Sequence, residues 1–207
     1  MKYKIVALDG VARMNLLGSI FVVGISIPCH EIGRLGKMGI QIGCQPTRSE
    51  TEKLANKLID HFDFEVDEIP AEKINRSNVN YLETKSFLWC LKRLDGFSDK
   101  IFVNNFEFTK ERLVDRFKKI CEKDMIMENW MVGDRLHNQY IQCTAARILA
   151  NFYRNYQLDS LKEEYGEVGS GNVNDPKTIG FLKRNLSRLP DFIRTKYLPI
   201  KQLLRKI

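Results

Sequence analysis

The chain has 207 residues, a net charge of +7 and a hydrophobic share of 43%. That is enough for one full core with a small appendage, and it excludes a disordered chain or a mini-protein. The five cysteines, Cys29, Cys44, Cys90, Cys121 and Cys143, are odd in number, scattered and never spaced as C-x-x-C, which favours reduced thiols in a cytoplasmic protein over a disulfide framework.

In chain order, a β-branched run from residue 4 ends in Asp9, and a second apolar run follows over residues 17–27. Together they read as a hairpin with a carboxylate at a strand end, a place where Asp also serves as a simple turn former. The apolar stretch 16–28 is shorter than the ~20 residues a bilayer core demands. It has no signal-peptide layout, so no membrane partner is expected. Cys29-His30 with Cys44 offers three zinc ligands but no fourth at metal spacing, which argues against a zinc site.

The Gly-rich stretch 33–43 is expected as a loop, and Ser49 with Glu52 as a capping box for a helix that aligns Leu54, Leu58, Ile59 and Phe62. A strand over 64–69, a helix over 81–94 with Leu82, Leu88 and Leu91 inward, and a short central strand over 100–103 come next. A helix over 109–121, a strand within 125–132 and a long helix over 140–156 complete an α/β domain with a mixed sheet. Asp175-Pro176 is a good helix start, Asp as cap and Pro in the first position. From residue 177 to the end there are nine basic residues and one acid. Such a tail suits a polyanion, or equally a solvated helical face. The division expected is a domain over 1–175 and a basic helical extension over 176–207.

The long helix, Tyr140-Ile-Gln-Cys-Thr144-Ala-Ala-Arg147-Ile-Leu-Ala-Asn151-Phe-Tyr-Arg154, resembles the Y-P-x-x-S-A-A-S-I-L-A-K-x-x-R helix of ribonuclease HII, the type 2 ribonuclease H family. The run Tyr165-Gly-Glu-Val-Gly169-Ser-Gly171-Asn172, ending in Asp175-Pro-Lys-Thr178, is similar to that family's Y-G-x-x-G-S-G-Y-P-S-D-P-x-T loop. Ile74-Asn75-Arg-Ser-Asn78 resembles its I-N-x-x-N element, and Ile101-Phe-Val-Asn104 its strand ending in Asp. The segments occur in family order from about residue 4 to 178. The resemblance implies a ribonuclease H-like fold, a mixed β-sheet flanked by helices with a C-terminal helical extension. It also implies an enzyme that cleaves RNA in RNA/DNA hybrids with carboxylates holding two Mg or Mn ions.

Carried over residue by residue, the first carboxylate of the family's D-E-A-G-R-G motif falls on Asp9, the second on Gly10, the third on Asn104 and the fourth on His137. A pair of hard cations needs clustered anionic oxygens, and only Asp9 supplies one as a metal ligand. Asp134, Glu107 and Asp115 are the neighbouring acids that could stand in, given placement within about 0.5 Å. The small residues of the G-R-G element become Ala12 and Met14, and the stacking tyrosine becomes Asn172. Arg13 matches, with a phosphate contact and a structural salt bridge both open to it. Arg13, Arg147 and Lys177 are the nucleic-acid-binding candidates. The expectation is a catalytically silent relative, needing no cofactor, that binds RNA/DNA hybrid or DNA. The alternatives are a weak metal-dependent endonuclease built on Asp9, and a scaffold subunit for a protein partner.

Overall fold

The computed structural model describes residues 3–95, 100–105, 109–121 and 128–204. Five strands, β1 (Lys4–Val11), β2 (Ile20–Pro28), β3 (Asp63–Ile69), β4 (Lys100–Asn104) and β5 (Trp130–Gly133), form one sheet in the order β3-β2-β1-β4-β5. The first three pair antiparallel, while β1–β4 and β4–β5 are parallel, so the sheet is mixed as the alternation of elements predicts. Strand β2 is buried almost throughout, since helices cover both faces, and Gly24 lets one of them approach closely: a Cβ there would lie 2.9 Å from Leu8 Cδ2 and Leu94 Cδ1.

Helices α1 (Ile32–Lys37), α2 (Arg48–Ile59) and α6 (Ile141–Tyr165) cover one face through Leu35, Leu58, Ile148 and Leu149. On the other lie α3 (Ala71–Arg76), α4 (Val79–Arg93) and α5 (Lys110–Cys121), through Ile74, Phe87, Leu91, Leu113 and Phe117. A third cluster joins Leu16 and Leu17 to Phe181 and Leu182 of α7 (Pro176–Arg184), with Ile193 and with Ile200 of α8 (Leu198–Leu204). The segment after residue 175 is thereby packed on the hairpin loop.

Several local expectations are corrected. Residues 32–37 are helical despite Gly33 and Gly36, because burying Leu35 outweighs the glycines' propensity cost of about 1 kcal/mol each. The capping box is Thr47 with Glu50, not Ser49 with Glu52. Two overlapping S/T-x-x-E patterns occur, and the earlier one captures the helix start, Thr47 N donating to Glu50 Oε2 at 2.8 Å. Strand β5 runs from Trp130 to Gly133, and residues 125–127 of the expected strand lie outside the described residues. Helix α6 continues to Tyr165 because Leu158 and Leu161 carry its apolar face onto the third cluster, and Gly166 at φ 74° ends it. The expected cap at Asp175 is present, its carboxylate accepting from Lys177 N, with Pro176 in the first turn.

The basic tail is not uniformly surface. Arg194 is fully buried; its Nε donates to Gly18 O at 2.8 Å and its Nη1 to Ala12 O at 2.6 Å, so it pins the loop after β1. Tyr197 donates its hydroxyl to Arg13 O at 2.6 Å on the same loop.

Candidate functional site

Parallel pairing of β1 with β4 sets Asp9 opposite Asn104, and pairing of β4 with β5 sets Asn104 opposite Gly133. The carboxyl-terminal ends of adjacent parallel strands are where open α/β sheets place their ligand sites. A 3-10 turn, Leu136–Asn138, then returns His137 beneath the same point. Helix α6 packs across β1, and its Ala145 and Ala146 are fully buried against the sheet, so the next residue, Arg147, reaches Asp9 from above.

The result is one hydrogen-bonded cluster. Asn104 Nδ2 donates to Asp9 Oδ1 at 2.8 Å, and Arg147 Nε donates to Asp9 Oδ2 at 2.9 Å. Asn104 Oδ1 accepts from Leu136 N at 2.8 Å, which fixes the amide with its nitrogen toward Asp9 and toward His137 Nδ1 at 3.3 Å. Burial and the nearby Arg147 guanidinium pull the His137 pKa below its usual range, which keeps the ring neutral and leaves Nδ1 free to accept. Thr144 completes the floor, its hydroxyl donating to His137 O at 2.7 Å and accepting from Gly43 N at 3.2 Å.

These residues do not fit a pair of divalent metals. Both oxygens of Asp9 are taken by N–H donors, Gly10 has no side chain, and Asn104 turns its nitrogen inward, where a metal needs oxygen. Among the described residues, no group of three His, Cys, Asp or Glu side chains could hold a metal ion. The guanidinium of Arg147 supplies the positive charge beside Asp9 instead.

Asp9, Asn104 and Arg147 of this cluster line a cleft of about 470 Å³. Arg13 lies in its wall, ion-paired to Glu83 and bonded to Asn80 Oδ1. The salt bridge is therefore the role of Arg13 within the fold. Glu83 went unnoticed in the sequence; the signal was an acid at position 83 in phase with the inward Phe87 and Leu91 of α4. Arg154 was likewise missed as a wall residue. It donates to Ser170 O, and burial together with Arg194 and Arg48 lowers its pKa to about 10, still charged at neutrality. Three arginines, Arg13, Arg147 and Arg154, balance three acids, Asp9, Glu83 and Asp134, along this lining.

The other candidates fall elsewhere. Lys177 sits on α7 and pairs with Glu167 at 3.2 Å, lining a neighbouring groove with Arg154 and Ser170. Asp134 lines the cleft but pairs with Arg135 at 3.5 Å, Asp115 is exposed on α5 away from it, and Glu107 lies outside the described residues. The motif residues Asn75 and Asn78 have structural roles: Asn75 Nδ2 donates to Ile193 O at 2.8 Å, and Asn78 caps α4.

Comparison with known proteins decides the family. The sequence model for ribonuclease HII matches residues 7–199. The chain belongs to the ribonuclease HII family. It is 24% identical over 212 residues to ribonuclease HII of Thermococcus onnurineus, covering 99% of this chain and 91% of that one. With ribonuclease HII of Sulfurisphaera tokodaii it shares 28% over 186 residues, 86% and 84% of the two chains. The fold matches the crystal structure of ribonuclease H2 from Pyrococcus horikoshii with a TM-score of 0.83 at 24% identity, covering 98% of each chain. It also matches the ribonuclease HII solved in complex with PCNA from Archaeoglobus fulgidus, with a TM-score of 0.80 at 22% identity over 93% and 94% of the chains. A ribonuclease HIII structure in complex with Mn2+ aligns with a TM-score of 0.78 at 13% identity, covering all of this chain and 71% of that one. A ribonuclease H-like fold is thus established. Among the described residues, no helix is long and apolar enough to cross a membrane.

Proposed function

We propose that this ribonuclease HII family member binds RNA/DNA hybrid in its cleft without cleaving it and without Mg or Mn. The observation that carries the reading is the ion pair between Arg147 and Asp9, at 2.9 Å over a carboxylate whose side chain is 1% exposed. A site with several carboxylates carries excess negative charge until metals neutralise it, and phosphate enters only afterwards. Here the charges along the cleft balance without metals, and the half-buried Arg147 keeps its remaining N–H groups for a phosphate oxygen. Asn15, Asn105, Asn151 and Asn172 supply neutral polar groups around it.

The test is anisotropy of a labelled hybrid, read in EDTA and again with Mn2+, alongside a nicking assay on the same duplex. The expected result is saturable binding whose Kd changes less than about twofold between the two conditions, weakens with Arg147→Ala, and comes with no nicks. Manganese-dependent nicking abolished by Asp9→Asn would replace this reading with a weak endonuclease. Absence of binding even at low salt would leave the scaffold role.

A further inference from the structure

The cleft is electrically balanced, yet the chain carries a net +7. Besides the basic segment after residue 176, a local excess lies on the helical layer formed by α4 and α5, which pack side by side on one sheet face. Together they carry eight basic residues against three acids, and one of those acids, Glu83, is buried and paired with Arg13. On the opposite face, α2 and α6 nearly balance, with six basic and five acidic residues.

The exposed side of α4 has a definite pattern. Its exposed positions are Tyr81, Lys85, Trp89, Lys92 and Arg93, and none is acidic. At 1.5 Å per residue they form a stripe about 18 Å long. Tyr81 is 50% exposed and Trp89 39% exposed, so two rings on one helix face are open to a stacking partner. Arg93 lies over the Trp89 ring at 5.5 Å and also pairs with Glu65 of β3 at 3.2 Å, which orders one end of the stripe. Among the described residues, no carboxylate lies within ion-pair distance of Lys85 or Lys92. The elements packed against α4 carry Asp63, Glu65, Asp67 and Glu68 on β3, Asp67 accepting from Ser86, and Lys110, Glu111, Arg112, Asp115, Arg116, Lys118 and Lys119 on α5.

We propose that this stripe is a second nucleic-acid surface, which takes a single strand by stacking unpaired bases on Trp89 and Tyr81 and holding its phosphates with Lys85 and Lys92. Alternating rings and cations are what sequence-tolerant single-strand binding requires: the rings accept any base, the cations follow the backbone. A protein partner of acidic character would use the lysines but has no need of two exposed rings spaced eight residues apart. The first turn of α4 borders the cleft through Asn80 and Glu83, so a strand on the stripe begins at the cleft edge.

The chain has two tryptophans, and Trp130 is buried, so Trp89 is a built-in reporter. The experiment is a titration of the full-length protein with a ten-nucleotide oligothymidylate, followed by tryptophan emission. Saturable quenching is expected, lost in Trp89→Phe, with a log Kd against log salt slope that falls by about 0.7 for each of Lys85→Gln and Lys92→Gln. Emission unmoved at low salt would overturn the proposal, as would quenching that persists in Trp89→Phe. Equal quenching by polyglutamate would also overturn it, since charge alone would then suffice. Arg147→Ala leaves this signal intact while testing hybrid binding in the cleft, so the two readings fail separately.

Discussion

Arg147 Nε lies 2.9 Å from Oδ2 of Asp9, and the pair bridges α6 to the end of β1 across 138 residues of sequence. Removing only the cation leaves a buried carboxylate held by Asn104 alone. Arg147→Ala should therefore destabilise the protein by about 1–3 kcal/mol, less than for a fully buried pair because the Arg147 side chain is 33% exposed. Asp9→Asn removes the need for the cation, so Arg147→Ala should cost much less in that background. Urea unfolding of the four proteins of this cycle measures the coupling; additive effects would show that the pair contributes nothing.

Asn104 donates to Asp9 at 2.8 Å, so an acid at that position would set two carboxylates against each other. Asn104→Asp should cost about 2–3 kcal/mol at neutral pH through lost hydrogen bonding and like-charge repulsion. The penalty should shrink as pH falls and one of the two takes a proton. A variant as stable as the parent at pH 7 would mean that the site tolerates a second carboxylate.

The mixed sheet and Asp9 at the end of the first strand were legible because β-branched runs and turn residues carry that information locally, whereas the strand order and the register that sets Asp9 opposite Asn104 came only with the fold. The partner of Arg147 was not legible either. A sequence places residue 147 on a helix, but which side chain it meets depends on how closely Ala145 and Ala146 let α6 approach β1. For the same reason Arg194, counted as part of a basic tail, gave no sign that it would be buried against the carbonyls of Ala12 and Gly18. The helix at 32–37 was hidden because glycine propensity is local and the burial of Leu35 is not.

His137 gives a pH signature. Its pKa in the fold is lowered by burial and by Arg147, whereas in the unfolded chain it titrates near 6.5. Below that value the unfolded chain binds a proton that the fold resists, so stability is full at neutral pH and declines as pH falls through about 6.5 toward the folded pKa. His137→Gln should flatten that part of the profile. Denaturation midpoints from pH 7.5 to 5 compare the two proteins, and parallel curves would remove His137 as the cause. A second decline, nearer pH 4 to 2, belongs to Asp175, held at about 2 mainly by the Ser170 backbone N–H.

Ala12 adopts φ 66°, a left-handed conformation that costs an L-residue about 1–2 kcal/mol. The loop holds it there because Arg194 Nη1 and Asn15 N both bond its carbonyl, at 2.6 and 3.1 Å. Glycine adopts this φ without strain and loses roughly 0.5–1 kcal/mol more backbone entropy on folding. Ala12→Gly should therefore stabilise the protein by about 0.5 kcal/mol, a rise in Tm of about 1–2 °C for a chain of this size. In an Arg194→Met background the loop loses the bond that enforces the strained turn, and the gain from glycine should fall toward zero. Calorimetry on the four proteins reads both effects; a lower Tm for Ala12→Gly alone would mean that the Ala12 methyl group stabilises the loop by more than its strain costs.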